Sequence, residues 1–262
     1  FNQMNIPIGL ILLALTGVGP LLAWRKTGRK SLIRNFTFPI LTGLSTAIIL
    51  LFVGFRGYVI ISFSLGAFVT ATIGTEFARG IHARRKKFDE SIIKALIRMV
   101  SKNRSRYGGY VVHLGIVFMF VGFTGHAFDD EKEFSLTVGE TDHVAGYTFE
   151  LIQLSEAERA NHYAWISDLR VTNQEGTFVT NLHPEKRIYF HNNPDPNRRQ
   201  PHSELDIYTT MNQDIYSIFS GVDSENGVAF IKIMVNPLVR WVWVGGFILV
   251  FGTIVALWPR KD

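Results

Sequence analysis

The sequence predicts a polytopic α-helical membrane protein of five spans with an inserted all-β domain, a sandwich or a barrel, and three observations carry that expectation. Five apolar runs, residues 6–24, 37–55, 58–75, 107–128 and 238–258, are each long enough to cross a bilayer as a helix. Between the fourth and fifth lies a polar block of about 110 residues, the size of one compact domain. Within it, apolar and β-branched stretches alternate with turn chemistry such as Asn173-Gln174-Glu175-Gly176, the spacing of an all-β fold.

Taken in order, residues 1–78 hold three membrane helices. The first run passes through Gly17-Val18-Gly19-Pro20, where a kink or a close helix contact is expected, and ends on Trp24 at headgroup level. The second carries Pro39 in its first turn, where a missing N–H costs little. Only Arg56-Gly57 joins it to the third, so the two form an antiparallel hairpin. Residues 79–106 read as a basic cytoplasmic loop. Inside that loop, residues 89–103 form an amphipathic interfacial helix, with Ile92, Ile93, Leu96, Ile97 and Val100 on one face and Lys94, Arg98 and Lys102 on another. Residues 107–128 make the fourth span and residues 129–236 the β domain. Eight strands are expected in it, near 134–138, 147–154, 163–172, 178–182, 187–190, 205–209, 215–220 and 228–235. Residues 237–262 are the last span and a cytoplasmic tail.

Charge orients the spans. Ten Lys or Arg fall between Arg79 and Arg106, and Arg25, Lys26, Arg29, Lys30 and Arg34 follow the first run, whereas the link between the second and third has only Arg56. The positive-inside rule therefore places the first two groups in the cytoplasm and the β domain outside. That domain is acidic, with eighteen Asp or Glu against nine Lys or Arg between Ala127 and Arg240, so the net charge of +5 belongs to the inner-face segments and does not argue for nucleic-acid binding. Five spans leave Phe1 outside and Asp262 inside. With no initiator Met and no basic stretch before it, the first run is not a signal peptide, and Phe1 reads as a cut within a longer polytopic protein. There is no cysteine, so the exported domain forms no disulfide and any thiol chemistry must use a partner's sulfur. Nothing in the chain has the pattern of a phosphate-binding loop or a serine nucleophile elbow.

The fourth run is apolar except for His113, Thr124 and His126. His113 lies six residues past Tyr107, roughly 9 Å of helix, so its imidazole sits in hydrocarbon and needs a partner. Gly109 shares its face one turn earlier. Gly108, Gly115 and Gly122 make a stripe at seven-residue spacing, where a flat bulky group or a second backbone can approach. Two readings stand at this point: a histidine bonded to a neighbouring helix, or a metal or haem ligand. Arg106, two turns before His113, suits the propionates of a haem held there, or serves only as a positive-inside anchor. His126, thirteen residues beyond His113, is at the separation at which one helix holds two stacked haems. No other run contains a histidine, however, and a helix-end role is the simpler reading. His143, His162, His183, His191 and His202 are scattered and lack the paired spacing of a zinc site.

Several stretches carry a likeness from one end of the chain to the other: Gly19-Pro20-Leu21-Leu22-Ala23-Trp24-Arg25, Arg106-Tyr107-Gly108-Gly109-Tyr110-Val111-Val112-His113-Leu114-Gly115, Asn161-His162-Tyr163, Pro184-Glu185-Lys186-Arg187 and Val239-Arg240-Trp241-Val242-Trp243. In these the sequence resembles the C-terminal part of the CcmF family, the haem-lyase subunits of bacterial cytochrome c maturation, related to CcsA-type haem-handling proteins. The resemblance implies that His113 is an axial ligand to the iron of a resident haem b, with Gly109 admitting the porphyrin. The second ligand histidine would come from the remaining N-terminal part of the same protein. It implies a multi-pass protein of the bacterial inner membrane with its β domain in the periplasm, supporting covalent haem attachment to Cys-x-x-Cys-His motifs of apocytochrome c. A haem chaperone and other cytochrome c maturation subunits would be its partners. No catalytic residue is expected in this segment, nor activity from it alone.

Two further groups have a functional reading beside a plain one. Glu185, Lys186 and Arg187, next to Tyr189, are candidates to dock apocytochrome or a haem-delivery partner, or form a charged turn with Tyr189 packed inward. Arg240, Trp241 and Trp243 are candidates to line an outer haem cavity, or anchor the last span at the interface. The competing functions are a non-catalytic assembly platform and a haem transporter or b-type electron-transfer subunit.

Overall fold

The computed structural model describes residues 2–19, 29–190, 200–223 and 225–259. Trp24, Arg25, Lys26 and His191, on which expectations were placed, lie outside these. The chain divides into a helical unit, Phe1–Ala127 with Trp241–Asp262, and a β unit, Phe128–Arg240.

In the helical unit, α1 (Asn2–Val18) is a shorter apolar helix, and α2 (Arg29–Val53), α3 (Tyr58–Phe88), α5 (Arg104–Thr124) and α6 (Arg240–Leu257) are long and apolar enough to cross a membrane. On α2, Leu41, Leu44, Ile48 and Phe52 are exposed, and on α6 so are Phe247, Phe251 and Ile254. Helices so apolar over their outward faces have lipid as their natural solvent. The link between α2 and α3 turns through Gly54 (φ 102°) and Gly57 (φ 64°), backbone conformations that glycine adopts without steric cost.

Two helices overrun the apolar runs that announce them. The α2 helix begins at Arg29, so Pro39 stands well inside it rather than in its first turn. The α3 helix continues through Arg79, His82, Arg84, Arg85, Lys86 and Lys87 to Phe88, so the start of the expected basic loop is helical. Arg, Lys and Ala are good helix formers, and hydropathy does not report where they stop. Asp89, in the left-handed region (φ 48°), closes the helix by donating its N–H to the Arg85 carbonyl.

A short amphipathic helix, α4 (Ile92–Lys102), then leads into α5. Glu90, only 8% exposed, joins α3 to α4. Its carboxylate accepts hydrogen bonds from Arg84 Nε at 2.7 Å and Arg98 Nη1 at 2.5 Å, and its backbone carbonyl accepts one from Arg85 Nε at 3.2 Å. The Arg84 bond, opposed by desolvation and reinforced by Arg98, holds the carboxyl below the ordinary carboxylate range. A depressed folded-state pKa means that this contribution is complete at neutral pH and is lost as pH falls through the lowered value. Glu90→Gln should therefore raise hydrogen exchange across α4 at pH 7, and wild type should approach the variant only in strong acid.

The β unit is a sandwich, not a barrel, and it has ten strands among the described residues where eight were expected. One sheet runs β1 (Asp130–Leu136), β10 (Val228–Pro237), β9 (Gln213–Asp223), β8 (Asp206–Thr209). The other runs β2 (Thr141–Val144), β3 (Tyr147–Glu158), β4 (His162–Asn173), β6 (Glu185–Tyr189), β7 (His202–Glu204), with β5 (Phe178–Leu182) also on β4. The added strands are β2 and β7, each too short to show alternation. Asn173 builds the β4–β5 turn by accepting the N–H groups of Glu175 and Thr177, and Gly176 supplies the positive φ of 75°. Inward positions recur every second residue, as Ala229, Ile231, Ile233 and Val235 do along β10. Phe134, Phe149, Leu151, Leu169, Ile215 and Phe219 fill the space between the sheets. Phe149 is fully buried, with its ring 5.6 Å from that of Phe134. Phe149→Ala should cost about 3–5 kcal/mol, read as faster hydrogen exchange of the β3 and β4 amides in the full protein.

Candidate functional site

The site is built on α5. Its apolar stretch carries no proline and runs without interruption from Arg104 to Thr124. Side chains at i, i+3 and i+4 share a face, and the four faces of this helix meet different surroundings.

One face packs on α3, which runs antiparallel to it. Ser62 Oγ and Thr124 Oγ1 share a buried hydrogen bond at 2.6 Å near the C-terminal end of α5. Gly66 lies against Val117, and Phe77 packs against Tyr107 and Tyr110 at ring-centroid distances of 5.2 and 6.1 Å. A second face meets α6 backbone to backbone. A Cβ on Gly115 would lie 2.7 Å from the Gly245 carbonyl oxygen, and one on Gly252 would lie 2.6 Å from the Val112 nitrogen. The stripe at Gly108 and Gly115 is therefore matched by Gly245 and Gly252 at the same spacing on α6, so the second backbone expected there is α6. On a third side, Gly9 of α1 approaches Phe120.

Gly109 differs from its neighbours. A Cβ there would meet nothing within 4 Å among the described residues, which leave this part of the helix surface open. One turn on, on the same side, is His113, whose Nδ1 is buried and has no hydrogen-bond partner among the described residues. A buried imidazole nitrogen left unpaired costs on the order of 1–3 kcal/mol. The reading in which a neighbouring helix bonds His113 finds no such bond here. A half-buried imidazole with no hydrogen bond among the described residues, one turn from a side-chain-free patch, fits a planar metal-bearing ligand such as haem, and an imidazole nitrogen is the correct donor type for iron.

Among the described residues no three His, Cys, Asp or Glu side chains are grouped so that they could hold a metal ion. His82, not considered in the sequence reading, lies on the continuation of α3. With Glu76 opposite Tyr110, His113 stands level with residues near 73, which leaves His82 about 13 Å further along the axis. His82 is exposed, and at that separation it shares no site with His113.

Toward the N-terminal end of α5, its contact with α3 is polar. Arg106 Nη2 donates to Glu76 Oε2 at 2.5 Å, Arg106 Nε donates to the Tyr110 hydroxyl at 2.8 Å, and Tyr110 donates to Glu76 at 3.2 Å. Arg79 also pairs with Glu76, at 3.3 Å. Glu76 escaped the sequence reading, although it is the sole acidic residue in the first 88 and stands at the end of an apolar run. Arg106 is thus more than an interfacial anchor. It commits two nitrogens to this network and keeps Nη1, whose N–H groups have no partner among the described residues.

The remaining candidates divide. His126 is in the 3-10 turn Gly125–Phe128 and, with Asn5, Tyr58, Ser62 and Thr124, lines an otherwise apolar cavity of about 530 Å³ between α1, α3 and α5. Glu185, Lys186 and Arg187 lie on strand β6, not in a turn, and are bonded within the domain. Arg187 Nε donates to Glu185 at 2.6 Å, Tyr189 donates to Glu204 at 3.0 Å, and Lys186 Nζ donates to the Ser220 carbonyl at 2.6 Å. The carboxylate of Glu185 raises the Arg187 pKa further, so its cation is fixed at all working pH values. Trp241 stacks on Phe118 with centroids 5.5 Å apart, whereas Trp243 is 67% exposed and Arg240 is also exposed.

Fold and site together define a membrane protein whose helical unit holds a half-buried imidazole, His113, with an unpartnered Nδ1, and whose last helix is preceded by a β-sandwich. Residues 127–237 match the family described as the CcmF C-terminal beta-sandwich. The chain belongs to the CcmF family of cytochrome c-type biogenesis proteins and corresponds to their C-terminal part. It is 27% identical to the cytochrome c-type biogenesis protein CcmF of Pseudomonas aeruginosa, over 100% of this chain and 38% of that protein. It is 32% identical to the cytochrome c-type biogenesis protein ccl1 of Rhodobacter capsulatus, over 63% of this chain and 24% of the other. A solved structure described as Cytochrome c Heme Lyase CcmF superimposes with a TM-score of 0.78 at 25% identity, covering 99% of this chain and 40% of that one. The chain thus spans less than half the length of these relatives.

Proposed function

We propose that this chain is the haem-handling C-terminal part of a cytochrome c haem lyase, in which His113 is one axial ligand of a resident haem b. The observation that carries the reading is the buried, unpartnered Nδ1 of His113 beside the open surface at Gly109. Haem bound there would supply a one-electron redox centre within the membrane. The chain's own residues prepare the place for it. His113 offers a neutral imidazole, Gly109 leaves room for a flat ring, and Glu76 with Tyr110 holds the Arg106 guanidinium two turns away with Nη1 available for a propionate. The second histidine comes from the N-terminal part of the complete protein.

In this reading α1 is a fifth span. The positively charged segments after the first and third spans lie in the cytoplasm of a bacterial inner membrane, and the acidic sandwich lies in the periplasm, where apocytochrome c, a haem chaperone and other maturation subunits meet it. The internal bonds of Glu185, Lys186 and Arg187 leave these three stiffening the sheet, with little to offer a docking partner. The test is the absorption spectrum of the complete protein, wild type against His113→Ala. Retention of the full b-type haem signal in the variant would overturn the reading.

A further inference from the structure

The helix α4 has a face that the function just proposed does not use. Ala95 and Met99 are buried against the helical unit, with Leu96 and Val100 partly buried beside them. Ile93 and Ile97, one turn apart, are 71% and 60% exposed, and Ile92 and Phe88 are exposed as well. Lys94 and Arg98 flank this strip on α4, and Lys86 and Lys87 precede it at the end of α3; all four are exposed.

We propose that α4 is a lipid-binding element, seating Ile93 and Ile97 among the acyl chains at the inner membrane surface while the lysines around it engage anionic lipid headgroups. Three observations choose this occupant. First, α4 joins two helices that are long and apolar enough to cross the membrane, Tyr58–Phe88 and Arg104–Phe128, with only short links at each end, so it lies at interfacial height. Second, the exposed apolar strip is narrow and bordered by cations, the pattern of a helix lying in the interfacial plane. Third, the surrounding charge is complementary to an anionic surface. From Arg79 to Arg106 there are ten basic and two acidic residues, and Glu90 is consumed by Arg84 and Arg98. The Glu90 bonds also fix the roll of α4 about its axis, so that the isoleucines are presented to lipid before any lipid binds. The proposal draws on the membrane orientation given above and is independent of haem.

The experiment uses the complete protein in nanodiscs of phosphatidylcholine alone, or of equal parts phosphatidylcholine and phosphatidylglycerol. Because a disc offers the same lipid on both faces, the outcome does not depend on orientation. Hydrogen exchange over residues 92–102 is expected to be at least about fivefold slower in the anionic discs, since one lysine near an anionic surface changes partitioning by about that factor. In Lys86→Gln/Lys87→Gln/Lys94→Gln, all surface changes, that difference should disappear. Ile93→Ser/Ile97→Ser should speed exchange in both kinds of disc. Equal exchange in the two discs, a difference that survives loss of the lysines, or equal protection in lipid-free detergent would overturn the proposal. The last outcome would mean that another part of the polypeptide covers the face. The haem spectrum of each variant, expected to be unchanged, separates a failure here from a failure at His113.

Discussion

His113→Ala in the complete protein is expected to abolish the b-type haem absorbance while leaving the protein folded and in the membrane. The alanine removes the donor nitrogen and leaves a small cavity, but it breaks no hydrogen bond, because Nδ1 makes none among the described residues. The deletion also relieves the cost of a buried unpaired nitrogen. Haem loss without loss of membrane-inserted protein is therefore the signature of ligation, and it separates this reading from a structural histidine, whose removal would lower yield and haem together. His113→Met, a ligand of different field strength, should restore some haem with a raised reduction potential. Restoration of haem at an unchanged potential would count against direct coordination.

The second large effect is a contrast between two glycines on the same helix. Gly109→Leu should expel haem at little cost to folding, because a Cβ there meets nothing within 4 Å among the described residues. Gly115→Leu should do the reverse at first instance: its Cβ would collide with the Gly245 carbonyl oxygen and the Leu249 nitrogen, both at 2.7 Å. Backbone does not yield as a side chain does, so α5 and α6 must separate, at a cost of about 1–3 kcal/mol or more. The assay is the pair of quantities haem per protein and protein per membrane. Gly109→Leu should lower the first and Gly115→Leu the second. If Gly109→Leu keeps its haem, the porphyrin does not lie on that side of α5.

Much of this arrangement could be read from residue order. The span around His113 and the face it shares with Gly109 follow from helical periodicity, because 3.6 residues per turn puts i and i+4 together whatever the tertiary fold. The division between Gly109 and Gly108 could not be read. Both are glycines in an apolar run, and only the position of α6, some 130 residues later, makes one a contact and the other an opening. Helix ends were also hidden where apolar residues gave way to helix-forming cations, as at Arg79 and beyond. Strands β2 and β7 are too short for alternation to register. Glu76 had a signal that went unused, an isolated acid beside an apolar run, which in a membrane segment asks for a partner. Its partner Arg106 was in plain view on another helix.

The first strand of the sandwich pairs with the last, Asp130 opposite Val235, so the inserted domain begins and ends at one place. During synthesis this imposes a sequence of events. The helix bearing His113 is made first and rests on α1 and α3, while α6 cannot reach it until the whole domain has left the ribosome. The zip of Gly108 and Gly115 onto Gly252 and Gly245 is thus the final clasp of the membrane part, closed over a long loop whose ends the sandwich has already drawn together. A variant sandwich that folds slowly would leave α5 unclasped from α6, and a defect in the β unit would then be felt as loose packing of the helical unit.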